Sequence, residues 1–235
     1  MKNILRRFQY YAVGFIIGLI FVVFFFQNRG CSWLPSNRVK NTLLDKVLIL
    51  PDSEVEKIAA KNLNHEDLIT ILEEGDINFR ASLKDQSIFP KAYVFEKKLN
   101  DEFYLIQFSI YEDSYMGIIH LLDDTLSPQR HTQLTGYGSF IRIPRDTSLV
   151  FFDKSDYTSC KSSKLTIKDK DQITQQLAST GRVNFTKSNL LLPKAEHHIS
   201  YEENDSTLIQ AKTIWFESRI TFKDFFWDEK LPCEN

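Results

Sequence analysis

Apolar positions follow different periods in different parts of the chain, and the first pattern is no period at all. Tyr11 to Phe26 (YAVGFIIGLIFVVFFF) is uncharged throughout. Each charge at a bilayer centre costs several kcal/mol, so an unbroken apolar run is what lipid demands. The run is slightly shorter than the ~20 residues of a usual span. Phe8 and Tyr10 extend it, and two adjacent tyrosines suit an interface. Helical spacing follows further on. Val55, Ile58 and Ala59 fall on one face of a helix predicted from Ser53 to Lys61. Leu68, Ile71 and Leu72 do so in a second helix that Asn64 can cap and Gly75 can end with a left-handed turn. The period then drops to two. Phe103 to Tyr111 alternates, with Tyr104, Ile106, Phe108 and Ile110 on one side. Tyr93–Glu96 and Met116–Leu122 read as its neighbours, with hairpin turns at Lys97–Glu102 and Glu112–Tyr115.

This order recurs. Gly75-Asp76-Ile77-Asn78-Phe79, followed by Ser82, is matched by Gly181-Arg182-Val183-Asn184-Phe185, followed by Ser188. Pro90-Lys91-Ala92 is answered by Pro193-Lys194-Ala195, and Leu105-Ile106-Gln107 by Leu208-Ile209-Gln210. A helix over Asp169–Thr180, opened by a capping box of Asp169 and Gln172, precedes the second copy. Strands follow it near His197–Tyr201, Thr207–Phe216 and Ser218–Phe225. Between the copies, Phe140–Ile143 and Leu149–Phe152 flank Pro144 and predict a hairpin or an edge pair.

The predicted fold class is therefore α+β: an N-terminal transmembrane helix and two similar modules, each with helices packed on an antiparallel meander. The predicted boundaries are a signal anchor over 1–30, a juxtamembrane linker over 31–50, and a first module over 51–124. A connecting segment over 125–164 and a second module over 165–235 follow.

Charge locates the chain further. Lys2, Arg6 and Arg7 flank one end of the apolar run; Arg29, Arg38 and Lys40 flank the other. With the terminal amine, this balance favours a cytoplasmic N-terminus, an inner-membrane span and a periplasmic bulk. Two alternatives remain at this end. A cleaved signal peptide needs small residues before the cut, which Gln27-Asn28-Arg29-Gly30-Cys31-Ser32-Trp33 lacks. A lipoprotein cut before Cys31 has Gly30 in its favour and Arg29 and Asn28 against it. Gly14 and Gly18 form a GxxxG on which another membrane helix can close. The chain has 29 basic residues, four of them among the first thirty, so 25 face 31 acids beyond the anchor. That balance argues against nucleic acid as a partner. It leaves the membrane and another membrane or envelope protein.

Candidate chemistry is sparse. Cys31, Cys160 and Cys233 match no metal motif; Cys160 and Cys233 can bridge in an oxidising compartment, or all three stay unpaired. Of the histidines His65, His120, His131, His197 and His198, the adjacent pair points to opposite faces of a strand and cannot share a metal. The acids at Glu73, Glu74 and Asp76, at Asp123 and Asp124, and at Glu202, Glu203 and Asp205 fall at helix ends and turns. No nucleophile elbow is present, Gly136-Tyr137-Gly138-Ser139 is too short to cradle phosphate, and the basic, hydroxyl-rich Tyr157–Lys164 reads as a loop or as an anion site. No catalytic, metal or cofactor residue is predicted. Phe225-Phe226-Trp227 is the exception on the surface: three consecutive aromatics on a strand cannot all face inward, which marks them as docking aromatics.

The opening, from the basic start through Cys31-Ser32-Trp33-Leu34-Pro35-Ser36-Asn37-Arg38-Val39, resembles short membrane-anchored proteins of Bacteroidetes, flavobacteria especially. Leu68 to Phe79 and the strands to Leu122 resemble the module called domain of unknown function 4258. The resemblance covers about the first half of the chain and implies a fold and an envelope location, without a known activity. That module is similar in plan to the RelE and BrnT toxins, small ribonucleases that handle RNA with clustered Arg, Lys and His on the sheet. The first copy here has no such basic cluster on its strands. Two functions follow as expectations: an anchored, non-enzymatic accessory protein that binds an envelope partner, and, as the alternative, a toxin-like nuclease facing the cytoplasm.

Overall fold

The run Val47-Leu48-Ile49-Leu50-Pro51, of which the first four residues fall in the linker predicted from sequence, forms a strand at the middle of a large sheet. A short, continuously apolar run has no period, and it needs none when both faces of a strand are buried. The structure is a computed structural model. It describes residues 2–27, 34–85, 87–112, 114–123, 127–152, 170–192, 194–203 and 207–226. The chain divides into two compact units, Met1–Asn41 and Thr42–Asn235.

The first unit contains α1, a continuous helix from Lys2 to Gln27. Its side chains are described at Arg7, at Phe8 and from Tyr10 to Val23. That is shorter than a span requires, and among the described residues no helix is long and apolar enough to cross a membrane. Phe15, Ile16, Ile17, Leu19 and Ile20 are each at least 50% exposed. At 100° per residue these five leave one side uncovered, which Phe21 and Val22, 59% and 55% exposed, fill, so apolar side chains are spread around the whole circumference.

The second unit is mixed α+β. After α2 (Pro35–Leu44), which begins in the first unit, come β1 (Val47–Pro51), α3 (Asp52–Ala60), α4 (His65–Glu74), β2 (Asp76–Leu83), β3 (Lys91–Leu99), β4 (Glu102–Ile110) and β5 (Met116–Leu121). They are followed by β6 (Tyr137–Arg142), β7 (Ser148–Phe151), α5 (Lys170–Thr180), β8 (Arg182–Asn184), β9 (Ala195–Glu203), β10 (Thr207–Phe216) and β11 (Arg219–Phe226). Among the described residues the strands form one 11-stranded sheet in the order β2-β3-β4-β5-β1-β6-β8-β9-β10-β11-β7. In its first part an antiparallel meander β2–β5 is closed by β1, parallel to β5. In its second part a meander β8–β11 is closed by β7, parallel to β11. β6 joins the parts, antiparallel to β1 on one side and to β8 on the other. Of the predicted hairpin or edge pair across Pro144, the hairpin does not form: its two runs become separate strands with different partners. β6 completes the backbone bonds of β1, and β7 takes the far edge.

Alternation along β1 places the helices. Leu50 lines a groove with Val55, Ile58 and Leu63 of the α3–α4 hairpin. Val47 and Ile49 point the other way, into a cluster with Ile173 and Leu177 of α5, Phe140, Ile199 and Trp215. The helices thus cover opposite faces of one sheet. Val55 is 42% exposed, so α3 buries Ile58 and Glu54 in place of the predicted Val55–Ile58–Ala59 stripe.

The recurring sequence motif makes the same local brace twice. The Asn78 side chain accepts from the amides of Arg80 and Ala81, and Ser82 Oγ donates to Asn78 O while accepting from the Val94 amide. Likewise Asn184 accepts from the Lys187 amide, and Ser188 Oγ donates to Asn184 O while accepting from the His198 amide. The glycine that opens the motif is needed for space. Gly75 is extended (φ −64, ψ 157), contrary to the predicted left-handed turn. A Cβ on Gly75 would lie 2.4 Å from Ile71 O, and one on Gly181 would lie 2.1 Å from Leu177 O. Both glycine amides donate to those same carbonyls, which draws the backbones together. Asn64 does cap α4, in a reciprocal box with Asp67; the predicted Asp169 cap lies outside the described residues.

Gly75→Ala and Gly181→Ala should each cost roughly 1–3 kcal/mol, as overpacking does. Urea denaturation of the two variants checks this, and the two losses should be alike.

Candidate functional site

Because β1 and β5 run parallel, both end at the same rim of the sheet, and α3 starts there without a linker. Glu54 sits in the first turn of α3, where the helix dipole favours an acid. Its side chain is only 7% exposed. Oε1 takes the Lys57 ammonium at 3.0 Å and Oε2 accepts the Leu121 amide at 3.0 Å. The Nδ1 atom of His120, the penultimate residue of β5, lies 3.7 Å from Oε1. That is beyond hydrogen-bond reach but close enough for charge to be felt. Burial alone would raise the Glu54 pKa; His120, Lys57 and the Leu121 amide outweigh it and hold the carboxyl down at about 2.

A strap over residues 127–135 covers His120. Gln107, fully buried on β4, holds it as a strand would: Oε1 accepts the Gln129 amide at 2.9 Å, and Nε2 donates to Gln129 O at 2.7 Å and to Ser109 Oγ at 2.9 Å. Tyr111 OH donates to His131 O at 2.6 Å, and Arg130 reaches Ile88 O and Asp85. The strap lays the His131 ring on the His120 ring, with centroids 3.9 Å apart. Burial, then the nearness of His120, lowers the His131 pKa to about 4. Glu54, Lys57, His120, Gln129 and His131 line a cavity of about 170 Å³. Buried His120 Nε2 has no hydrogen-bond partner among the described residues. The arrangement is an ionised carboxylate behind one imidazole, a neutral imidazole over it, and a spare ring nitrogen. It can accept a proton or a hydrogen bond from a small guest. Among the described residues no group of His, Cys, Asp and Glu could hold a metal.

His197 is a second buried imidazole, on β9. It packs against Trp215, centroids 4.8 Å apart, and neither ring nitrogen has a partner among the described residues. Burial, then nearby His198, lowers its pKa to about 3. Thr213 beside it donates to His197 O and accepts from Trp215 Nε1, both at 2.9 Å, so the surrounding polar atoms are spoken for.

The residues singled out by sequence lie elsewhere. Gly14 and Gly18 are in α1, and a Cβ added to either meets nothing within 4 Å. Cys31, Cys160, Cys233 and Trp227 lie outside the described residues. Phe225 is 2% exposed and stacks on Phe222, so it is core and is unavailable for docking. Strand alternation turns Phe226 outward, 50% exposed. Glu54 and His120 were not foreseen. Glu54 reads as an ordinary first-turn acid, and only the parallel pairing of β1 with β5 brings the two together. Compared with known proteins, the chain matches no family model, no curated protein and no solved structure.

Both sites generate pH dependence. Glu54 has an ordinary pKa of 4.5 when unfolded and about 2 when folded. Its contribution is complete above pH 4.5 and lost as pH falls toward 2, and Glu54→Gln should flatten that limb. His197 has an ordinary pKa of 6.5 when unfolded and about 3 when folded. Below pH 6.5 the unfolded chain takes the proton first, so stability falls by up to about 1.4 kcal/mol per pH unit on the way down. Denaturation of His197→Leu across pH 7 to 4 should reduce the slope by that share and leave the part that His131 and His198, also lowered, contribute.

Proposed function

We propose that this chain is a single-pass, inner-membrane-anchored accessory protein. Its globular part faces the periplasm, where it binds an envelope component and does not catalyse. The observation that carries the reading is α1. A helix apolar on every side has no water-stable face, and such helices are found in protein cores or in lipid. The described stretch Tyr10–Val23 continues in sequence through Phe24, Phe25 and Phe26 without a charge. Lys2, Arg6 and Arg7 support a cytoplasmic N-terminus. Gly14 and Gly18 leave a notch one turn apart for a partner helix.

In this reading the globular part arose from one β-α-β4 unit, duplicated and fused through β6. The matching Asn–Ser braces, the matching glycine contacts and the two meanders closed by parallel strands support it.

Carbonate washing of membranes, with alkaline phosphatase fused after Asn235, tests the assignment. The full-length chain should stay in the pellet and the phosphatase should be active. Release into the supernatant would refute anchoring. An inactive fusion in a retained chain would refute the orientation and favour the cytoplasmic nuclease.

A further inference from the structure

The two parts of the sheet differ most on the faces that their helices leave bare. In the first part that face lies under the strap held by Gln107. In the second, strand register sets out a lattice of polar side chains. Tyr137, Asn184, His198 and Lys212 lie in one row across β6, β8, β9 and β10. Ser139, Arg182, Ser200 and Gln210 lie in the next. Rows two residues apart share a face, and the intervening Gly138, Val183, Ile199 and Ala211 point to the α5 side, where Val183, Ile199 and Ala211 are buried in the core.

A polar outer face is ordinary, but this one has three further properties. It is concave: a groove of about 340 Å³ lies over these rows, with Lys187 and Leu208 among its lining. It is cationic: Arg182 and Lys187 line it and no acid does, although the globular part carries an excess of acids. It is also rich in unused donors. Arg182 spends Nη2 on Asp52 outside the groove, while its Nε is buried without a partner among the described residues. The side chains of Lys187, His198, Ser200 and Gln210 make no hydrogen bond to the described residues. His198 feels the same field: burial first, then Lys187 and Lys212, lower its pKa.

The equivalent register in the first part has the opposite sign. Asp76 pairs with Glu96 where Arg182 pairs with Ser200. Asn78 and Asn184, which brace the backbone, are the same in both. The structural residue is shared and the charge is reversed.

We propose that this groove binds a phosphate group, with the exposed part of the Arg182 guanidinium and the Lys187 ammonium as the charged donors and Ser200 and Gln210 as neutral ones. Arg and Lys match phosphate oxygens by charge-assisted hydrogen bonds. Tyr137 and Leu208, each 48% exposed at the groove, provide an apolar margin for the body that carries the phosphate. The phosphate can come from a soluble ester or from a lipid headgroup.

The test is calorimetric titration of the full-length chain in neutral detergent. Inorganic phosphate and glycerol phosphate form one arm, and short-chain phosphatidylglycerol the other, with short-chain phosphatidylcholine as the zwitterionic control. Saturable binding in the first arm assigns a soluble phosphate; binding of phosphatidylglycerol alone assigns the headgroup. The double variant Arg182→Gln/Lys187→Gln should weaken either by at least about tenfold. Lys97→Gln/Lys98→Gln, on β3, should change nothing. Absence of saturable binding in both arms overturns the proposal, as does equal binding by the Arg182/Lys187 variant while its thermal midpoint is unchanged. The titration does not depend on how α1 is anchored, so the two readings fail separately.

Discussion

The globular part depends on the burial of β1 between β5 and β6. Val47, Leu48 and Ile49 are fully buried and Leu50 is 2% exposed. A strand buried on both faces has no water to satisfy its backbone, so every amide and carbonyl must be paired within the sheet. β5 supplies one side in parallel and β6 the other in antiparallel register. Side-chain volume sets the same requirement. A Cβ on Gly138 of β6 would lie 2.7 Å from both Ile49 and the Phe185 ring, so β6 can lie against β1 and β8 only with glycine there. Through this contact the core of the second part reaches the first: Val47 and Trp215 belong to one apolar cluster.

The parallel closure that buries β1 also makes the rim where Glu54 and His120 meet. A helix that follows a strand directly must start at that strand's end, and the parallel neighbour ends there too. The strap then fills the bare face of the first part with its own backbone, held by the Gln107 amide. The bare face of the second part instead carries cations around a groove. One sheet therefore holds a polar cluster and its small cavity beneath the strap at one rim, and a polar groove on its other half. In the proposed duplication, one copy carries a strap-covered acid–histidine cluster and its twin a groove lined by cations.

Local chemistry made part of this legible in the sequence. The period-two run Phe103–Tyr111, the Asn64 cap and the order of the meander strands reflect neighbours in sequence, which hairpins bring together. The two-residue turn at Asn100–Asp101, with φ 48 and 69, is of that kind. The Gly-x-x-Asn motif was visible twice because the brace it makes is also local. The pairings of β1 with β5, β6 with β8 and β7 with β11 are long-range, and nothing in the runs themselves announces them. Hence Val47–Leu50 read as linker and the runs flanking Pro144 as a hairpin or an edge pair. The site shared that fate. Glu54, His120, Arg182 and His198 each look ordinary alone, and only register across strands collects them. The aromatic triplet was half legible: alternation required one ring outside, but which one depended on the register of β11.

If β1 is the shared keystone, the two parts cannot unfold apart. Native-state hydrogen exchange of the full-length chain measures this directly. The account predicts that amides of Val47–Leu50, of β4 and of β9–β10 exchange through one opening with a common free energy, equal to that of global unfolding. Exchange of β8–β11 through a cheaper opening that leaves β1 and β4 protected would contradict it.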